Sequence, residues 1–146
     1  MDASFWHQRW RTNEIPFHEH AVNQQLLKHF SALSLAKAGR VFVPLCGKSV
    51  DIGWLLSRGH AVAGAELSEI AVQQLFVELG MEPSIVELGT IRHYRGQKID
   101  IFVGDIFQVS REMLSPVDAV YDRAALVALP AEVRQRYPAH LMEITA

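Results

Sequence analysis

The amino-acid sequence predicts a doubly wound α/β fold with a mostly parallel sheet, and three observations predict it. A short continuous apolar run, RVFVPL at 40–45, suits a strand covered on both faces. Helical segments alternate with strand-like runs, which implies a parallel sheet with right-handed crossovers. Chemistry-bearing residues gather where the runs end, at Leu45 to Ser49, Glu66, Asp105-Ile106 and Asp122-Arg123. Open α/β sheets bind their ligands at those carboxyl ends, near the switch in strand order.

Residues 1–20 are aromatic and histidine-rich, with Phe5, Trp6, Trp10 and Phe17, and Pro16 as a breaker. Val22, Leu26, Leu27, Phe30 and Leu33 then recur at helical spacing before Gly39. RVFVPL reads as a central strand. A helix follows from about Val50 to Ser57, closed by Gly59. HAVAGAEL is a second strand, after which Ser68 suits a helix N-cap and Glu69 its positive end. Val72, Leu75, Phe76 and Leu79 form the buried stripe of that helix, and Gly80 stops it.

SIVELGTIRHYRG, interrupted at Gly89 and Gly96, predicts a hairpin. KIDIFVGDIF supplies the third strand of the main sheet and PVDAVYDR the fourth. Pro130 opens a last helix, where proline is tolerated. Pro138 is expected to kink or end it, because it removes the hydrogen bond to residue 134.

The 146 residues, 49% hydrophobic, suffice for one domain with one core. A net charge of −2 without a run of Lys or Arg argues against a nucleic-acid partner, which would need a basic stripe. Cys46 is the single cysteine, so no internal disulfide forms and a reducing cytoplasm fits. MDASFWHQRWR lacks the pattern of a signal peptide. No apolar run reaches the roughly 20 residues a bilayer requires. The expectation is a soluble, cytoplasmic chain.

The letters GKS at 47–49 suggest a phosphate grip, but a P-loop places a glycine where Phe42 stands. A nucleotide triphosphate is therefore a poor candidate, and Lys48 reads as solvated or as a contact to a ligand carboxylate. The dinucleotide turn G-x-G-x-x-G is absent too. What remains is a strand-turn-helix with Gly47 in the turn and Glu66 closing the next strand. A carboxylate there can accept hydrogen bonds from both hydroxyls of a ribose. It can equally be a solvent-facing acid that opens a helix. Cys46 has no local histidine to activate it and reads as a packing residue. HEH at 18–20 puts its histidines on different helix faces, which does not suit a metal. No metal site is expected.

FWHQRW, PFHEH, the long block RVFVPLCGKSVDIGWLLSRGHAVAGAELSE, GDIF and YDRAALVALP together resemble the thiopurine S-methyltransferases. These are a branch of the S-adenosylmethionine-dependent methyltransferases with the doubly wound α/β fold. The resemblance implies methyl transfer from S-adenosyl-L-methionine to the sulfur of thiopurines or of related thiol and chalcogen acceptors. It also implies a site. Leu45 and Gly47 would line the methionine part of the cofactor, Glu66 would hold the ribose hydroxyls, and Asp105 and Ile106 would flank the adenine. Trp6 and Trp10 would cover the cofactor from a lid segment at 1–20, and Phe17 would contact the acceptor. Arg123 would lie near the methyl-transfer region, touching cofactor and acceptor.

No residue is assigned as a strong acid or base, because a thiopurine sulfur is acidic enough to attack as an anion. The implied organisation is one methyltransferase domain with a cofactor-binding core at 40–146. The later strands of the fold do not fit before HLMEITA, so the sheet is expected to be C-terminally incomplete. Family members are expected to be monomeric, whereas an open sheet edge would favour self-association. A second expectation follows, that the chain is a non-catalytic cofactor-binding fragment of such an enzyme.

Overall fold

The computed structural model describes residues 39–44, 46, 48, 50–121 and 136–145. Six strands form one sheet: β1 Arg40–Pro44, β2 Ala61–Glu66, β3 Ser84–Leu88, β4 Ile91–Gly96, β5 Ile99–Val103 and β6 Ala119–Val120. The helices are α1 Val50–Ser57, α2 Glu69–Leu79, α3 Arg111–Leu114 and α4 Tyr137–Thr145, with a 3₁₀ turn at Ile106–Gln108. The strand order is β3-β4-β5-β2-β1-β6. β5, β2, β1 and β6 run parallel, and the predicted hairpin β3–β4 joins antiparallel beside β5. From β1 the chain moves outward to β2 and then β5 on one side. It returns to the other side of β1 for β6, so the switch in strand order lies between β1 and β6.

Alternation along the strands sends side chains to two cores. Val41, Val43, Val62, Ile99, Ile101 and Tyr94 pack with Ile52 and Leu55 of α1 and with Val72, Leu75 and Phe76 of α2. Phe42, Ala63, Ala65, Ile91 and Phe102 face the opposite way, onto Ile106, Leu114, Tyr137 and Ile144. Both faces of the parallel strands are covered, as the unbroken apolar run of β1 requires. Phe42, at the position a P-loop would give to glycine, is fully buried inside its strand.

The helix ends follow their predicted chemistry. Ser68 caps α2, its hydroxyl accepting from the Ala71 N–H at 3.3 Å. Gly80 ends α2 at φ 70°, a left-handed conformation that glycine adopts without a Cβ penalty. Leu79, expected in the buried stripe, is only partly buried against that core.

Among the described residues of PVDAVYDR, Ala119–Val120 are strand, and just before them the Asp118 carboxylate accepts from the Arg40 N–H at 2.7 Å. Pro138 lies in the first turn of α4. An N–H has no helical partner there, so the one that proline lacks costs nothing. The helix expected from Pro130 falls on residues 130–135, outside the described ones. Among the described residues, no helix is long and apolar enough to cross a membrane.

Candidate functional site

The carboxyl ends of β1, β2 and β5 meet on one edge of the sheet, and backbone ladders carry them just past the strands. The Cys46 N–H donates to the Ala65 carbonyl at 3.0 Å, and the Gly104 N–H to the Glu66 carbonyl at 2.9 Å. Glu66 pairs in register with Val103, so the turn after β5 begins beside the end of β2. Three of the predicted positions, Glu66, Asp105 and Ile106, are thereby neighbours along one rim.

The ends of β2 and β5 each lead to a carboxylate fixed by a backbone N–H two residues ahead. Glu66 Oε2 accepts from the Ser68 N–H at 2.8 Å, and Asp105 Oδ1 accepts from the Phe107 N–H at 2.9 Å. Glu66 is buried at 7% exposure, whereas Asp105 is exposed and caps the 3₁₀ turn. A nearly buried carboxylate keeps its charge only while hydrogen-bond donors surround it. The Ile106 side chain packs in the core, and its carbonyl accepts from the Val109 N–H at 3.1 Å and meets His140 Nε2 at 2.8 Å.

The turn between β5 and Asp105 depends on Gly104. Its φ is 146°, and an added Cβ would lie 2.6 Å from Ile91 Cδ1 and 3.3 Å from the Thr90 carbonyl. Only glycine fits both the conformation and the space.

Cys46 is buried, and burial pushes its thiol well above the usual range, with the charge of Glu66 adding to the rise. That removes the thiolate a nucleophile needs. Lys48 is not solvated: its ammonium pairs with Glu78 of α2 at 3.2 Å, and its side chain is only 13% exposed. The ion pair occupies the charge that a phosphate site would require, which agrees with the reading of GKS as something other than a P-loop.

Two groupings at the same rim escaped the sequence reading. Glu69, opening α2, accepts from the Tyr94 hydroxyl at 2.6 Å and from Arg92 Nη1 at 2.9 Å. Arg92 Nε reaches Glu87 at 2.9 Å, and Arg92 pairs across the sheet with Val103 at the end of β5. The Tyr94 bond, with Arg92 beside it, holds the Glu69 carboxyl below its usual range. On the other side of the rim, the Tyr121 hydroxyl donates to Asp51 Oδ2 at 3.0 Å. The residue types and their even spacing in RHYR hint at the first grouping, since Arg92 and Tyr94 share a strand face. Nothing local hints at the second.

Trp6, Trp10, Phe17, Leu45, Gly47 and Arg123 lie outside the described residues. Among the described residues, no group of three or more His, Cys, Asp or Glu could hold a metal ion.

Comparison with known proteins places this geometry. The family model for thiopurine S-methyltransferase (TPMT) matches residues 1–146. A thiopurine S-methyltransferase from Teredinibacter turnerae is 54% identical over 145 residues, covering 99% of this chain and 67% of that protein. One from Xanthobacter autotrophicus is 53% identical over 146 residues, covering 99% of this chain and 68% of that protein. The chain thus spans about two thirds of the length of these relatives.

Among solved structures, a TehB-like SAM-dependent methyltransferase from Corynebacterium glutamicum superposes with a TM-score of 0.59 at 16% identity. That match covers 98% of this chain and 66% of the other. A SAM-dependent methyltransferase from Thiobacillus denitrificans, solved with S-adenosyl-L-homocysteine, gives 0.57 at 17% identity over 91% of this chain and 49% of that one. At such identities the likeness concerns the fold, and the fold is that of the S-adenosylmethionine-dependent methyltransferases.

Proposed function

The chain belongs to the thiopurine S-methyltransferase family of S-adenosylmethionine-dependent enzymes, and from that premise we propose how its residues serve methyl transfer to a sulfur. The acceptor is a thiopurine or a related small thiol or chalcogen compound, met in the cytoplasm. The observation that carries this reading is the buried carboxylate of Glu66, held at the end of β2 by the Ser68 N–H and adjoining the turn after β5.

Glu66 accepts the ribose hydroxyls, and the turn at Asp105 and Ile106 flanks the adenine. Leu45 and Gly47 line the methionine end. Bound S-adenosylmethionine supplies a methyl group already activated by its sulfonium. The protein therefore aligns the acceptor and excludes water, and needs no strong base of its own. Arg123 stabilises the anionic acceptor sulfur. Phe17 contacts the acceptor ring, and Trp6 and Trp10 close over the cofactor as a lid, so that 1–20 and 40–146 act as one domain.

Calorimetry with S-adenosylhomocysteine, paired with a methyl-transfer assay on a thiopurine, tests the proposal. Binding with turnover is the expected result, and absence of binding overturns it. Binding without turnover would instead support a cofactor-binding role alone, and the same pair of measurements distinguishes the two.

A further inference from the structure

Asp51 and Tyr121 stand on opposite sides of the switch in strand order. Asp51 lies in the first turn of α1, directly after the turn that leaves β1, and is 2% exposed. Tyr121 follows β6 and continues its pairing with β1, its N–H donating to the Phe42 carbonyl at 2.8 Å. The Tyr121 ring packs against the core under α1, and its hydroxyl reaches Asp51 Oδ2 at 3.0 Å, across 70 residues of chain.

The two connections that this bond joins are those that flank the switch point. The β1–α1 connection carries Leu45 and Gly47, and the segment after β6 carries Arg123 two residues beyond Tyr121. In open α/β sheets the ligand crevice lies between those two connections. Among the described residues, β6 pairs with β1 at Ala119 and Val120 and through the Tyr121 N–H. Beside that backbone pairing, a side-chain bond to a nearly buried carboxylate adds a strong constraint.

We propose that Tyr121 is a positioning residue for cofactor binding, acting through Asp51 to hold the two walls of the crevice at the spacing the methionine end requires. This rests on the methyl-donor reading above. The chemistry needs no contact between Tyr121 and the cofactor, because the hydroxyl already donates to Asp51.

The test is a double-mutant cycle in the full chain, with S-adenosylhomocysteine affinity read by calorimetry in wild type, Tyr121→Phe, Asp51→Ala and the double variant. Tyr121→Phe is expected to weaken binding about tenfold, equivalent to ~1.4 kcal/mol, and to add nothing in the Asp51→Ala background. A melting temperature that falls while the dissociation constant stays unchanged means the bond is structural only, and overturns the proposal. An equal effect of Tyr121→Phe in both backgrounds overturns it as well, since the action then bypasses Asp51. If Asp51→Ala does not fold, Tyr121→Phe alone decides through its dissociation constant, which a purely structural bond leaves in place. Failure of the wild-type chain to bind would count against the methyl-donor reading, whereas wild-type binding with an unaltered Tyr121→Phe counts against this inference alone.

Discussion

Ser68 aims Glu66. Its backbone N–H donates to Glu66 Oε2 at 2.8 Å, so the residue that caps α2 also orients the carboxylate that ends β2. The strand-end acid and the helix start are one unit, and they divide cleanly under mutation. In the proposed role Glu66 makes charge-assisted hydrogen bonds to the ribose, so Glu66→Ala is expected to weaken S-adenosylhomocysteine binding by about 1 to 3 kcal/mol. Calorimetry reads this directly, and an unchanged affinity would remove Glu66 from the site.

Ser68→Ala keeps the backbone N–H and loses the hydroxyl that accepts from Ala71. The expected loss is about 1 kcal/mol of stability, the typical worth of an N-cap, with cofactor affinity nearly unchanged. Urea unfolding and calorimetry on the same sample check both halves. A large loss of affinity with intact stability would mean that the hydroxyl itself meets the ligand.

Glu69 and Tyr94 give the fold a pH signature. The Tyr94 hydrogen bond lowers the Glu69 carboxyl in the folded state. A depressed carboxylate contributes stability above its unfolded pKa, about 4.3, and that contribution is lost as pH falls through the folded value. Burial, and then the bond to Glu69, raise the Tyr94 phenol. A raised phenol contributes below its unfolded pKa, about 10, and loses its contribution as pH climbs toward the raised value. The pair is therefore strongest between these limits. Tyr94→Phe is expected to flatten the alkaline fall in unfolding free energy and to make the acid fall shallower. Denaturant titrations across the pH range provide the check, and identical slopes in both proteins would contradict the assignment.

Gly104→Ala tests the turn between β5 and Asp105. The φ of 146° disfavours any side chain, and the new methyl would press on Ile91 and on the Thr90 carbonyl. The cost is expected at about 1 to 3 kcal/mol of stability. Because Asp105 follows directly, cofactor affinity should fall with it. Thermal unfolding with a matched binding titration separates the outcomes, and a neutral substitution would show that the turn relaxes freely.

What the sequence made legible was local. Glu66, Ser68 and Gly80 sit at the seams of strand, turn and helix, where conformation and hydrogen bonding are decided within a few residues. The hairpin showed itself through Gly89 and Gly96 for the same reason. Lys48 with Glu78, Tyr94 with Glu69 and Tyr121 with Asp51 are separated by 30, 25 and 70 residues, and meet only because the sheet fixes which strand neighbours which. Strand order is a global property that periodicity does not encode. Pro138 shows how position decides a residue's effect: proline is unfavourable in a helix interior but accepted in a first turn, where it stands in α4.

Cys46 supplies the last test. It lies beside Glu66 in the turn after β1, a placement that invites a role as nucleophile. The surroundings argue otherwise. At 7% exposure the thiol is desolvated, and the neighbouring Glu66 charge further disfavours a thiolate. Its sulfur also lies 3.0 Å from where a Cβ on Gly64 would stand, so it fills the space that glycine leaves in β2. Ellman's reagent at mildly alkaline pH should therefore react slowly with the native protein and rapidly once urea unfolds it. Cys46→Ala should retain methyl transfer, losing stability through the small cavity it creates. Fast native labelling, or loss of turnover in a stably folded Cys46→Ala protein, would return the thiol to the chemistry.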